Sequence, residues 1–194
     1  MLELQVGIAL QSIRLGEPNK VEAAVDKLIA DYNDHPNLAK GLFQIGENYY
    51  ERANWYEHRK EQAKWKEYLK HTIAIWAVIL YELPVGGYTE QACYFTGYSY
   101  QWMGEYDSAI DYYQQIVANW PAGKQACEAQ YRVALCYHEL RMNGAMELKE
   151  AIAKKREAVN KVVRGYPDCI WVGQAMGLVG GRENFKLSEE GEAK

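Results

Sequence analysis

Apolar residues recur along this chain three and four positions apart, and almost nowhere at every second position. That spacing lays one apolar stripe along a helix of 3.6 residues per turn, whereas a half-buried strand needs strict alternation. The stripe is interrupted at intervals. Prolines stand at 18, 36, 84, 121 and 167, and four of them close similar phrases: DYNDHP, LYELP, VANWP and RGYP. Proline lacks the amide donor and clashes with the turn before it, so each phrase marks a helix end. Between these breaks the periodicity predicts helices over about 3–15, 19–33, 37–53, 58–82, 88–103, 106–119, 123–141, 147–165 and 169–179. The joints carry turn chemistry. Gly16-Glu17-Pro18-Asn19 is a turn leading to an N-cap candidate, Gly86-Gly87 parts two helices, and Asn143-Gly144 joins two more. The predicted class is all-α.

The refrain of prolines points to internal repeats, and residues 97–121, GYSYQWMGEYDSAIDYYQQIVANWP, show one unit most fully. Two antiparallel helices can approach closely only past small side chains, here Gly97 and Ala109. Tyr100 and Tyr113 fill the space beside them. Gly104 stops the first helix, Tyr106 opens the second and Pro121 ends the unit. These residues and spacings resemble the tetratricopeptide repeat, whose small, aromatic and proline marks recur within 34 residues. Gly46 with Tyr49, and Ala134 with Tyr137, repeat the Gly97/Tyr100 pair. Ala24, Leu28 and Pro36 repeat Ala109, Tyr113 and Pro121. Gln125-Ala126-Cys127 echoes Gln91-Ala92-Cys93, and Gly180 follows Pro167 as Gly97 follows Pro84. The resemblance covers 3–180, as four hairpins and a final helix. The second unit carries about 14 extra residues around ANWYEHRKEQAKWK, and the fourth about nine around RMNGAMELK. The wording also resembles the long-helix repeats of bacterial envelope proteins, such as outer-membrane assembly lipoproteins and cell-division coordinators. The expected organisation is a repeat domain over 1–182 and a disordered polar tail over 183–194.

The resemblance implies a right-handed superhelical solenoid, with first helices lining a concave face and second helices forming the back. Members of the family bind peptides or partner proteins, mostly on the concave face. Carried over by position, the groove-facing residues are Lys40, Phe43, Glu47, Tyr50 and Glu51 in the second unit. The third unit contributes Gln91, Tyr94, Tyr98, Gln101 and Trp102. The fourth contributes Glu128, Tyr131, Leu135, His138 and Glu139. Aromatic anchors rimmed by polar groups are what interface hot spots use. Six of these fifteen are aromatic, and four are Glu against one Lys, which suits a guest segment with apolar and basic side chains. Chaperone-binding members hold a C-terminal carboxylate with Lys, Asn and Arg. Phe43, Glu47, Tyr94, Tyr98, Tyr131 and Leu135 stand at those places and offer no such fork of donors. The competing expectation is that the final helix or a missing neighbour fills the groove.

Composition changes this picture little. The 194 residues carry a net charge of −4, which gives no reason to expect a polyanion partner. Sixteen tyrosines and six tryptophans against three phenylalanines favour half-wet contact surfaces. The start, MLELQVG, shows no basic and apolar leader. The longest apolar run is IAIWAVILY, from Ile73 to Tyr81, far short of the ~20 residues that cross a bilayer. A helix apolar all round is buried or docked. This one is expected either to pack within the monomer, under the insert of the fourth unit, or to make a homodimer through the helix at 58–82. That self-assembly role is the alternative to peptide capture. Cys93, Cys127, Cys136 and Cys169 have no zinc-like spacing and read as buried free thiols, as in a reducing compartment. Glu67 and His71 share a helix face but lack further metal ligands. No nucleophile elbow, Walker loop or dinucleotide fingerprint occurs, so neither enzyme chemistry, a cofactor nor a metal is expected. The basic stretches HRKEQAKWK and KEAIAKKREAVNKVVR are interleaved with Glu and read as solvated faces, not as nucleic-acid contacts. The compartment stays open between cytoplasm and bacterial envelope.

Overall fold

The computed structural model describes residues 1–180; the tail expected at 183–194 lies outside them. Among the described residues there are nine helices and no strand: α1 (Leu2–Leu15), α2 (Pro18–Tyr32), α3 (Leu38–His58), α4 (Gln62–Tyr81), α5 (Thr89–Met103), α6 (Tyr106–Asn119), α7 (Ala126–Met142), α8 (Leu148–Gly165) and α9 (Val172–Gly177). The chain is all-α, as its periodicity requires.

Four hairpin turns share one geometry. Gly16, Lys60, Gly104 and Gly144 all have positive φ, at 71°, 60°, 81° and 68°. In each case the next residue's amide donates to the carbonyl five residues before it: Glu17 to Ser12, Glu61 to Tyr56, Glu105 to Tyr100 and Ala145 to Leu140. This is the Schellman closure, which satisfies an orphan carbonyl at the helix end. Its recurrence is the internal repeat expressed in backbone geometry. The second turn departs from the sequence-based expectation, because α3 continues to His58 and α4 begins at Gln62. The insert therefore lengthens two helices. Nothing in ANWYEH breaks a helix, and Ala53 and Tyr56 are buried there, Tyr56 packing on Tyr68 at 4.9 Å.

The chain forms two compact units, Met1–Ser99 and the remainder from Tyr100. In the first unit α1 packs on α2 and α3, and α3 packs on α4. Close approach depends on two glycines of α3. A methyl at Gly41 would come within 2.8 Å of Val6 Cγ2, and one at Gly46 would overlap the indole of Trp76. That indole is 1% exposed, stacks on Phe43 at 5.6 Å and donates its N–H to the Phe43 carbonyl at 3.3 Å. The run IAIWAVILY thus enters the first unit's own core against α3. Trp76 and Ile79 are buried, and only Ala74 and Tyr81 are exposed.

In the second unit α6 packs on α7, α7 on α8, and α9 on both α7 and α8. Small residues make these contacts tight: Ala109, Ala126, Ala129, Ala134, Ala151 and Ala158 are all buried. Here the reading of the cysteines needs correction. Cys127 and Cys169 form a disulfide with Cα atoms 6.6 Å apart across 42 residues, while Cys93 and Cys136 are free and buried. The segment after α8 folds back on α7, which brings Cys169 to the first turn of α7. Disulfides persist in oxidising surroundings, so these cysteines no longer argue for a reducing one. The residues between Pro167 and Trp171 make turns, which is why α9 is shorter than the 169–179 expected.

Candidate functional site

The first unit presents one face of α3 beside α5. Positions three and four apart share a helix face, which places Lys40, Phe43, Glu47, Tyr50 and Glu51 of α3 together. Tyr50 is half-buried at the centre. Its ring meets Tyr98 of α5 edge-on at 6.3 Å, Phe95 at 6.5 Å and Trp76 at 6.4 Å. Phe43 and Tyr94 are only 5% and 7% exposed. Phe43 points at Trp76, Tyr88 and Phe95, and Tyr94 packs on Phe95 and Tyr98. These two rings hold the face from beneath, and Tyr50 and Tyr98 reach its surface. Gln91 is half-buried, and Lys40, Glu47 and Glu51 are exposed.

Glu47 and Glu51 lie one turn apart, and neither takes part in an ion pair among the described residues. Burial, then repulsion from Glu51, pushes the Glu47 carboxyl above its ordinary value of 4.5. A carboxylate pair beside tyrosine rings is an arrangement that a guest cation relieves.

The second unit has its own polar centre on α7. Arg132 donates to Glu128 at 2.7 and 3.0 Å and to Gln101 Oε1 at 3.2 Å, and the same oxygen accepts from the Tyr113 hydroxyl at 2.8 Å. Gln101 is therefore held inside a network. Tyr131 stacks on Trp171 at 5.1 Å with planes 12° apart, so the segment entering α9 covers it. Trp102, Leu135 and His138 are half-buried, and His138 keeps a buried Nδ1 with no hydrogen-bond partner. Sequence reasoning passed over Arg132 and Trp171. The i,i+4 spacing of Arg132 from Glu128 was a visible signal; the fold-back of Trp171 had none. Among the described residues no group of His, Cys, Asp and Glu is placed to hold a metal ion, and no helix is long and apolar enough to cross a membrane.

Helical hairpins closed by one repeated turn, with aromatic first-helix faces, define a helical-repeat protein. The repeat itself has a family. Residues 96–122 match the tetratricopeptide repeat model, and the chain has the all-α helical-repeat fold of tetratricopeptide-repeat proteins. Among solved structures it is similar to a tetratricopeptide repeat protein from Parabacteroides merdae, at 13% identity and a TM-score of 0.54. That match covers 91% of this chain and 58% of the other, so the chain spans well under two thirds of that protein. It is also similar to a MamA RS-1 double mutant, at 19% identity and a TM-score of 0.52, covering 99% of this chain and 90% of that one. A third likeness is to the TPR-like repeats of a Podosopora anserina kinesin light chain, at 16% identity and a TM-score of 0.51, covering 99% and 93%. At these identities the likenesses establish the fold. No protein of curated function matches in sequence.

Proposed function

We propose that this chain is a non-enzymatic protein–protein interaction scaffold that takes up a segment of a partner protein on its first-helix faces. The observation that carries the reading is the face of α3 beside α5, where half-exposed Tyr50 and Tyr98 stand next to the unpaired carboxylates of Glu47 and Glu51. Tyrosine offers contact area at little rotamer cost, and the carboxylates select basic side chains on the guest. Lys40, Gln91, Phe43 and Tyr94 belong to the same face, the last two as its support. In the second unit, Gln101, Trp102, Tyr131, Leu135 and His138 form the corresponding face. There the Trp171 ring occupies Tyr131, so the open part is the stretch around Leu135 and His138.

The test is affinity capture from the native host with three baits: wild type, Tyr50→Ala with Tyr98→Ala, and Glu47→Lys with Glu51→Lys. The charge-reversed residues are exposed, so that variant keeps its fold. A partner captured by wild type and lost by both variants at unchanged helicity supports the reading. A partner retained by both overturns it.

A further inference from the structure

The back of the first unit carries a second feature, independent of the α3–α5 face. Between α2 and α4 runs an open groove of about 730 Å³. Its apolar floor is made by half-buried Ile29 of α2 with Ile75 and Val78 of α4, backed by Val21 and Val25, which are buried. The lining extends along α2 from Pro18 to Ala30 and along α4 from Glu67 to Glu82. At 1.5 Å per residue these walls are about 18 and 22 Å long, the length of three to four helical turns.

The charges on this groove have one sign. Glu22 and Asp26 rim it from α2, Glu67 and Glu82 from α4, and no Lys or Arg is among its lining residues. All four carboxylates are exposed, and none takes part in an ion pair among the described residues. Two of them act on the same floor residue. Burial pushes the Tyr49 hydroxyl up to about 12, with Tyr68 and then the charges of Glu22 and Glu67 adding to it. Lys64 lines only the smaller hollow that continues the groove past Pro18, and it is paired with Glu61 at 3.1 Å.

We infer that the α2–α4 groove docks a cationic amphipathic helix of a partner protein, its apolar ridge on Ile29, Ile75 and Val78 and its Lys or Arg side chains on the four rim carboxylates. Helix-in-groove recognition needs an apolar trough of this length, and the single-signed rim fixes the charge of the guest.

A fluorescein-labelled 14-residue peptide serves as probe, with Leu at positions 3, 6, 7 and 10 and Lys on both flanks. A scrambled peptide of equal charge and a Glu-for-Lys peptide are the controls. Fluorescence anisotropy at low salt is expected to show saturable binding of the first peptide alone, weakening as salt rises. Glu22→Gln, Asp26→Asn, Glu67→Gln and Glu82→Gln together are expected to weaken it at least tenfold. Ala74→Arg, an exposed groove position, is expected to abolish it, whereas Tyr50→Ala with Tyr98→Ala leaves it unchanged. Equal binding of the scrambled peptide, or undiminished binding by the quadruple variant, overturns the inference. So does a groove filled by a second copy, seen as a dimer in sedimentation that Ala74→Arg dissociates.

Discussion

Gly46→Ala tests the packing on which the hairpin of α3 and α4 depends. An added Cβ would lie 2.7 Å from both Cδ1 and Cε2 of Trp76, so the indole must shift by roughly an ångström to restore ordinary contact. It has little room to shift, being 1% exposed and walled by Phe43 at 5.6 Å and Phe95 at 5.7 Å. Overpacking of this kind costs about 1–3 kcal/mol. Loss of the indole bond to the Phe43 carbonyl adds about 1 kcal/mol. Alanine in a helix recovers about 1 kcal/mol over glycine. The net expectation is a loss of about 2 kcal/mol, read in urea unfolding by circular dichroism or as a fall of roughly 6 °C in Tm. Gly7→Ala is the control with the opposite sign. It lies exposed in α1 with nothing within 4 Å of its would-be Cβ, so it should gain about 1 kcal/mol. In a Trp76→Leu background the Gly46→Ala penalty should vanish. Full stability of Gly46→Ala, or an equal penalty with and without Trp76, would refute the reasoning.

Lys60→Gly should raise stability by about 1 kcal/mol, because Lys60 holds a left-handed backbone that costs a side-chain-bearing residue that much; unchanged urea unfolding contradicts it. Reduction of the Cys127–Cys169 bond, which closes a 42-residue loop, should destabilise the second unit by about 2–4 kcal/mol. A thiol titration in denaturant without reductant should count only Cys93 and Cys136; four thiols would show the bond absent. In the native protein these two should react slowly, since burial pushes both thiols up to about 12. Glu47→Gln should gain stability relative to wild type as pH rises from 4.5 towards neutrality. The raised folded-state value means the wild type holds its proton more tightly when folded, so its penalty is absent in acid and grows as the pH passes upward through that value. A difference that stays flat with pH would contradict this.

The helices were legible because apolar spacing and proline breaks act locally, and three of the four hairpin turns were legible because glycine marks them. The turn at Lys60 was hidden. The same left-handed geometry is imposed there on a lysine, by flanking helices that have no reason to stop earlier. On α3 the sequence placed Phe43 and Tyr50 on one stripe, and their different fates depend on Trp76 and Phe95, which lie far along the chain. The disulfide was hidden because cysteines 42 residues apart follow no spacing rule, and only the return of the chain onto α7 brings them together. The α2–α4 groove was equally silent, since a stripe shows which face is apolar but not which neighbour leaves it uncovered.

The most direct test of partner capture is a calorimetric titration with a basic, aromatic-binding peptide selected by display on the wild-type protein. Removing two tyrosine anchors of about 2 kcal/mol each, about 4 kcal/mol together, predicts a loss of affinity of roughly 700-fold for Tyr50→Ala with Tyr98→Ala, and no loss for Ala74→Arg on the other groove. Equal affinity for wild type and the tyrosine variant would contradict the account.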